Sequence, residues 1–147
     1  MAGDAKLMGF YQAYKDVFDA VKTAIQTKSS IKSVTMGEQF SYDSLPKAVI
    51  NAMPSGISQT ALGEVLEVKV NFSVVLVINE YEPKDWFADI ISVMADVVDA
   101  VLADRTLDGK VADCIPTSFA PGEIKFDSKL FYGGEIRFQA VVYYPSN

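Results

Sequence analysis

Glu64-Val65-Leu66-Glu67-Val68-Lys69-Val70-Asn71-Phe72-Ser73-Val74-Val75-Leu76-Val77-Ile78 is the stretch whose reading decides the fold. Leu66, Val68, Val70, Phe72, Val74, Leu76 and Ile78 alternate with Glu67, Lys69, Asn71 and Ser73. That period of two belongs to a half-buried β-strand. Val75 and Val77 make its second half apolar on both sides, so this end is expected to be covered twice. At ~3.3 Å per residue, Val65 to Ile78 reaches roughly 46 Å. A small domain needs less than that to span its own core, so the strand is expected to reach toward a neighbouring subunit.

Working outward, Pro54 to Gly63 is small and polar and predicts a flexible loop or a long hairpin tip. Before it, Ile31 to Met36 and Ala48 to Met53 read as strands, the second opened by Pro46. The chain starts with a helical pattern over Leu7 to Thr27, with Phe10, Tyr11, Tyr14, Val17, Phe18, Val21 and Ile25 on one stripe.

After the long strand, Glu82-Pro83-Lys84-Asp85 has the composition of a helix start. Trp86 to Leu102 carries an apolar stripe of Trp86, Phe87, Ile90, Ile91, Met94, Val97, Val98, Val101 and Leu102, and Leu107-Asp108-Gly109 ends it. Lys110 to Thr117 predicts a strand, Phe119-Ala120-Pro121-Gly122 a turn, and Lys129 to Tyr144 a last strand. Gly133-Gly134 marks a bulge there or a close backbone approach. The expected fold is α+β, a single domain over residues 1–147. Its mostly antiparallel sheet has four to five strands, with two helices on one face and the order α-β-β-β-α-β-β.

Half of the 147 residues are apolar and 22% are charged, enough to bury a core. The net charge is −6 and the basic residues are scattered, which argues against a protein that neutralises nucleic-acid phosphates. There is no histidine, so the commonest general base and metal ligand is missing. Cys114 is the single cysteine and reads as a small buried residue. Asp85, Asp89, Asp96 and Asp99 have helical spacing but read as a solvated face rather than a metal site. No phosphate-binding glycine loop occurs. No catalytic, cofactor-binding or metal-binding residues are assigned, and an enzyme is not expected. The longest apolar run is far shorter than a membrane span, and the first residues lack a signal-peptide core, so a soluble protein of the cytoplasm is expected.

The layout resembles the tail-terminator, or tail-completion, proteins of long-tailed phages and prophage-derived tails. The matching features begin with the first helix and Leu45-Pro46-Lys47-Ala48-Val49-Ile50. They continue through the variable loop and the strand Glu64 to Ile78. The helix Trp86 to Leu102 follows, with its exit Leu107-Asp108-Gly109-Lys110-Val111. The last is the closing Gly133-Gly134-Glu135-Ile136-Arg137-Phe138-Gln139-Ala140-Val141-Val142-Tyr143-Tyr144. The resemblance covers nearly the whole chain and rests on element order more than on invariant residues.

It implies a virion protein of the tail or neck, assembled in the host cytoplasm as a homo-oligomer, a hexameric ring. The ring would cap the tail tube protein, meet the head–tail connector, and let DNA pass through its lumen. Met53, Ile57, Leu62, Phe131, Tyr132 and Tyr143 are the expected subunit-interface residues. A head–tail joining or tube protein is an alternative reading, and a small-ligand-binding α+β module is another.

Overall fold

The alternating stretch forms the central strand of one six-stranded sheet. The structure, a computed structural model, describes residues 9–37, 45–61, 63–80, 86–126 and 129–145. The interface candidate Leu62, the expected helix start at Glu82 to Asp85, and the residues before Gly9 lie outside the described residues.

In chain order the elements are α1 (Gly9–Gln26), β1 (Ser33–Met36), β2 (Lys47–Ala52), β3 (Gly56–Gln59), β4 (Leu66–Glu80), α2 (Trp86–Leu102), β5 (Asp113–Phe126) and β6 (Lys129–Tyr144). The sheet order is β1-β2-β4-β6-β5, with β3 also paired to β4. The pair β1–β2 is parallel and every other pair is antiparallel. The α+β class is as expected, but the strand count is higher.

The additional strand is β3, which lies inside the stretch read as a loop. It pairs with Leu66 to Lys69, while β2 pairs with Phe72 to Val77 on the same edge of β4. Pro54 and Ser55 separate the two. The Ser55 hydroxyl accepts the Asn71 N–H at 3.0 Å, and the Asn71 amide donates to Pro54 O at 3.0 Å, so the gap is bridged. Thr60 N–H donates to Val65 O at 3.0 Å, and Gly63, at φ 75°, completes the turn. The described part of this stretch therefore contains a paired strand, in keeping with a long hairpin.

A second correction concerns Phe119-Ala120-Pro121-Gly122. This segment is not a turn but the middle of β5, paired with Gly133 to Ile136. The reason is position: β5 is an edge strand, and an edge tolerates proline where the missing N–H would face outward.

Both helices pack on the sheet face that carries Val68, Val70, Phe72, Val74 and Leu76. Val17, Val21 and Ile25 come from α1, and Ile90, Met94, Val97 and Val101 from α2. These follow the helical steps read in the sequence, although Tyr11, Phe87 and Leu102 of the expected stripes stay exposed. Phe72 stacks on Phe138 with ring centroids 5.3 Å apart and takes the edge of Phe18 at 5.7 Å. Each fully buried Val, Ile or Phe contributes ~1.5–3 kcal/mol before the entropy of ordering it is set against that.

The exit of α2 is held by a local device. The Asp104 carboxylate accepts from Thr106 N–H at 3.0 Å, the Thr106 hydroxyl at 2.7 Å and Asp108 N–H at 2.9 Å. That fixes Leu107 and Asp108 at φ 48° and 59°, where Leu is uncommon, and Leu107 compensates by burying its side chain.

Gly133-Gly134 is a close approach. The register irregularity lies across from it, in β4, where Ile78 is the extra residue between Val77 and Asn79. A Cβ on Gly133 would collide with Leu76 O, and one on Gly134 would stand 2.6 Å from Met94 Sδ. Gly133→Ala is therefore expected to cost about 3 kcal/mol in chemical denaturation, because the obstructing atom is backbone. Gly122→Ala, which meets nothing within 4 Å, is expected to stay within about 0.5 kcal/mol of wild type.

Candidate assembly surface

The five described residues of the six expected at an interface do not share one surface. Residues 131 and 132 are consecutive in a strand, so they cannot point the same way. Tyr132 belongs to the helix-side core at 3% exposure, and Phe131 is fully buried at 0%. Both are corrected to residues buried within the subunit. Tyr143 remains accessible at 44%, on the face opposite the helices, with its hydroxyl 3.4 Å from a Glu67 carboxylate oxygen. Met53 is half-buried and donates its N–H to Asn71 O at 3.0 Å. Ile57 is the most open of the described candidates, 57% exposed on β3.

The sheet face away from the helices is polar around Tyr143. Gln139 donates to Asn71 at 3.1 Å, and Arg137 pairs with Glu135 at 2.9 Å. β3 is less covered, since each of its residues is exposed. On the opposite edge, Ile115 and Phe119 of β5 are exposed as well. Sequence reasoning missed Phe119 because a turn was read where a strand runs; Ile115 was read within a strand but given no role. Two prolines, Pro116 and Pro121, spaced within one apolar segment were the available signal of an edge strand.

A groove of about 390 Å³ runs between α1 and α2. Ala20, Ala24, Ala100 and Ala103 wall it, and Asp16, Asp19 and Asp104 stand at its rim. Those carboxylates are engaged locally. Asp16 accepts from Gln12 at 2.6 Å, Asp19 pairs with Lys15 at 2.7 Å, and Asp104 holds the helix exit. The Thr106 hydroxyl, then the N–H groups of Asp108 and Thr106, hold the Asp104 carboxyl below its ordinary value.

Cys114 sits in β5 facing the helices, fully buried. Burial pushes its thiol up to about 12, and the neighbouring Asp113 charge adds to the shift. The Arg105 guanidinium, which holds Asp113 by two hydrogen bonds of 2.7 and 2.6 Å, opposes it weakly. A thiol held this way stays protonated and is a poor nucleophile. Among the described residues no group of three or more acidic or cysteine side chains converges to hold a metal ion. Among them, too, no helix is long and apolar enough to cross a membrane.

No protein-family model matches the chain, and no curated protein matches its sequence.

The Cys114 shift has a stability consequence. The unfolded thiol ionises near 9, its ordinary value, and the folded one near 12. Between those values unfolding releases a proton, so stability falls as pH rises, by up to ~1.4 kcal/mol per pH unit. Denaturation at pH 8 to 11 should therefore show a steeper loss for wild type than for Cys114→Ala. Parallel curves would show that the thiol is not held neutral by the fold.

Proposed function

We propose that this chain is a structural subunit of a phage-type tail. Copies form a ring, hexameric in the tail-terminator reading, that caps the tail tube and meets the head-side connector. The observation that carries this reading is the antiparallel block β3-β4-β6-β5. Its long strands β4 and β6 have 15 and 16 residues and extend for about 50 Å, whereas the helices of 18 and 17 residues cover about 27 Å. Among the described residues no strand pairs beyond β1 and β3 on one side of the sheet or beyond β5 on the other. A subunit gains contact area from such edges.

The net charge of −6 suits a ring through which DNA passes, because like charge discourages sticking. A head–tail joining or tube protein would use the same surfaces at another place in the tail.

Light scattering on the purified chain should give a hexamer, and negative-stain images should show rings with a central opening. Antibody to the chain should label the head-proximal tip of tails that contain it. Monomer at every concentration, together with unlabelled tail tips, would sink the reading. Labelling along the whole tail would place the chain in the tube instead.

A further inference from the structure

We infer that copies of this chain join head to tail by sheet continuation, the outer edge of β3 in one copy pairing antiparallel with Thr117 to Ala120 of β5 in the next. This rests on the ring reading and names the edges that build it.

The hydrogen bonds of the hairpin set the direction of the free groups. Thr60 N–H donates to Val65 O, so residues 60 and 65 are a hydrogen-bonded pair. Bonded and non-bonded pairs alternate in an antiparallel ladder, which makes Ser58–Glu67 and Gly56–Lys69 bonded pairs. The N–H and C=O groups of Ile57 and Gln59 therefore face away from β4. No proline occurs within β3, and no charged residue stands between Lys47 and Glu64. Natural sheets usually guard such an edge.

The opposite edge is guarded except at one window. Pro116 and Pro121 each lack an N–H, and between them Thr117, Ser118, Phe119 and Ala120 are all exposed and uncharged. Pro121 keeps its place in the β5–β6 ladder, as a proline does where its nitrogen faces away from the partner strand. Phe119, two residues away, turns its N–H to the same outer side. The window is as long as β3.

Aligned antiparallel, Gly56 meets Ala120, Ile57 meets Phe119, Ser58 meets Ser118 and Gln59 meets Thr117. Ile57 shares a face with Val68, and Phe119 with Ile136; both faces are the helix side. The two exposed apolar side chains thus become a direct cross-strand pair. Directions agree as well. β3, β4, β6 and β5 alternate, so a rotated copy presents β5 antiparallel to β3 without inversion. Such a contact joins opposite edges and repeats until it closes. β3 centres opposite Glu67 and Val68 of β4, and the window opposite Ser73 and Val74, six residues further along. A shift of ~20 Å over four strands, ~19 Å wide, tilts the strands by about 45°, at the upper end of the tilt in closed sheets.

The test is a full-length chain carrying both Ile57→Cys and Phe119→Cys, oxidised in air with copper–phenanthroline. β3 and β5 of one copy lie ~14 Å apart across two strands, too far for an internal disulfide. Cys114 is buried and does not compete. A reducible ladder of dimers, trimers and larger species is expected from the pair and not from either single variant. Ile57→Pro deletes one outward N–H, leaves the β4 ladder intact, and is expected to lose the oligomer while melting as wild type does.

Monomer-only gels from protein that forms rings under the microscope would overturn the edge pairing and leave the ring reading standing. Cross-linked dimers from Ile57→Cys alone would overturn it in favour of a two-fold β3–β3 contact. A covalent ladder without rings would support the pairing and sink the ring. Neither links nor rings would sink both.

Discussion

The register between β4 and β6 is the constraint on which the rest of the structure depends. It runs from Leu66 opposite Tyr144 to Glu80 opposite Phe131, nearly the full length of both strands. Because side chains alternate, this single register sends Val68, Val70, Phe72, Val74 and Leu76 to the same side as Ile136, Phe138, Ala140 and Val142. A slip by one residue would turn that apolar set to solvent and bring Glu67 and Lys69 under the helices. Gly133 and Gly134 make the alignment possible where β4 and α2 press closest, since any side chain there would collide with Leu76 O or Met94. Both helices then have one place to bury their stripes, and the Phe18, Phe72 and Phe138 rings join the layers.

The same register also sets how far the strands extend. Once β4, β5 and β6 are aligned over 14 to 16 residues each, they run nearly twice as far as either helix of 17 or 18 residues, since a helix rises less than half as far per residue. Beside the start of β4, β3 adds a short strand whose residues are all exposed. The two edges of the sheet are treated differently. β5 carries two prolines and a register shift beside Thr117, while β3 carries neither proline nor charge. Guarding one edge everywhere but a short window, and leaving the other open over the same length, is a pattern suited to a specific contact rather than to indiscriminate pairing.

Away from the sheet, the chain spends its polar groups on local geometry. Asp104 holds the exit of α2, Arg105 clamps Asp113 at the start of β5, and Ser30 reaches Asp96 to tie the end of α1 to α2 at 2.5 Å. The exposed pairs among these contribute modestly to stability. Their effect is to fix where β5 begins, which sets Cys114 inward and Ile115 outward.

Much of the fold was legible in the sequence because period carries it. The alternation from Leu66 to Ile78 and the steps Val17-Val21-Ile25 and Ile90-Met94-Val97-Val101 identify the elements and their inner faces without any knowledge of partners. Residue chemistry alone also placed Cys114 among buried groups. Three things were decided only by tertiary structure. β3 has no periodic signal in Gly56-Ile57-Ser58-Gln59, and it is a strand because β4 offers it an unpaired edge. Phe119 to Gly122 looks like a turn by composition and is extended because β5 lies at the sheet's margin, where proline loses no hydrogen bond. Phe131 and Tyr143 share a strand face, yet one is buried and the other open. Their exposure depends on what stands over each end of the sheet, and a local pattern in the chain cannot encode that.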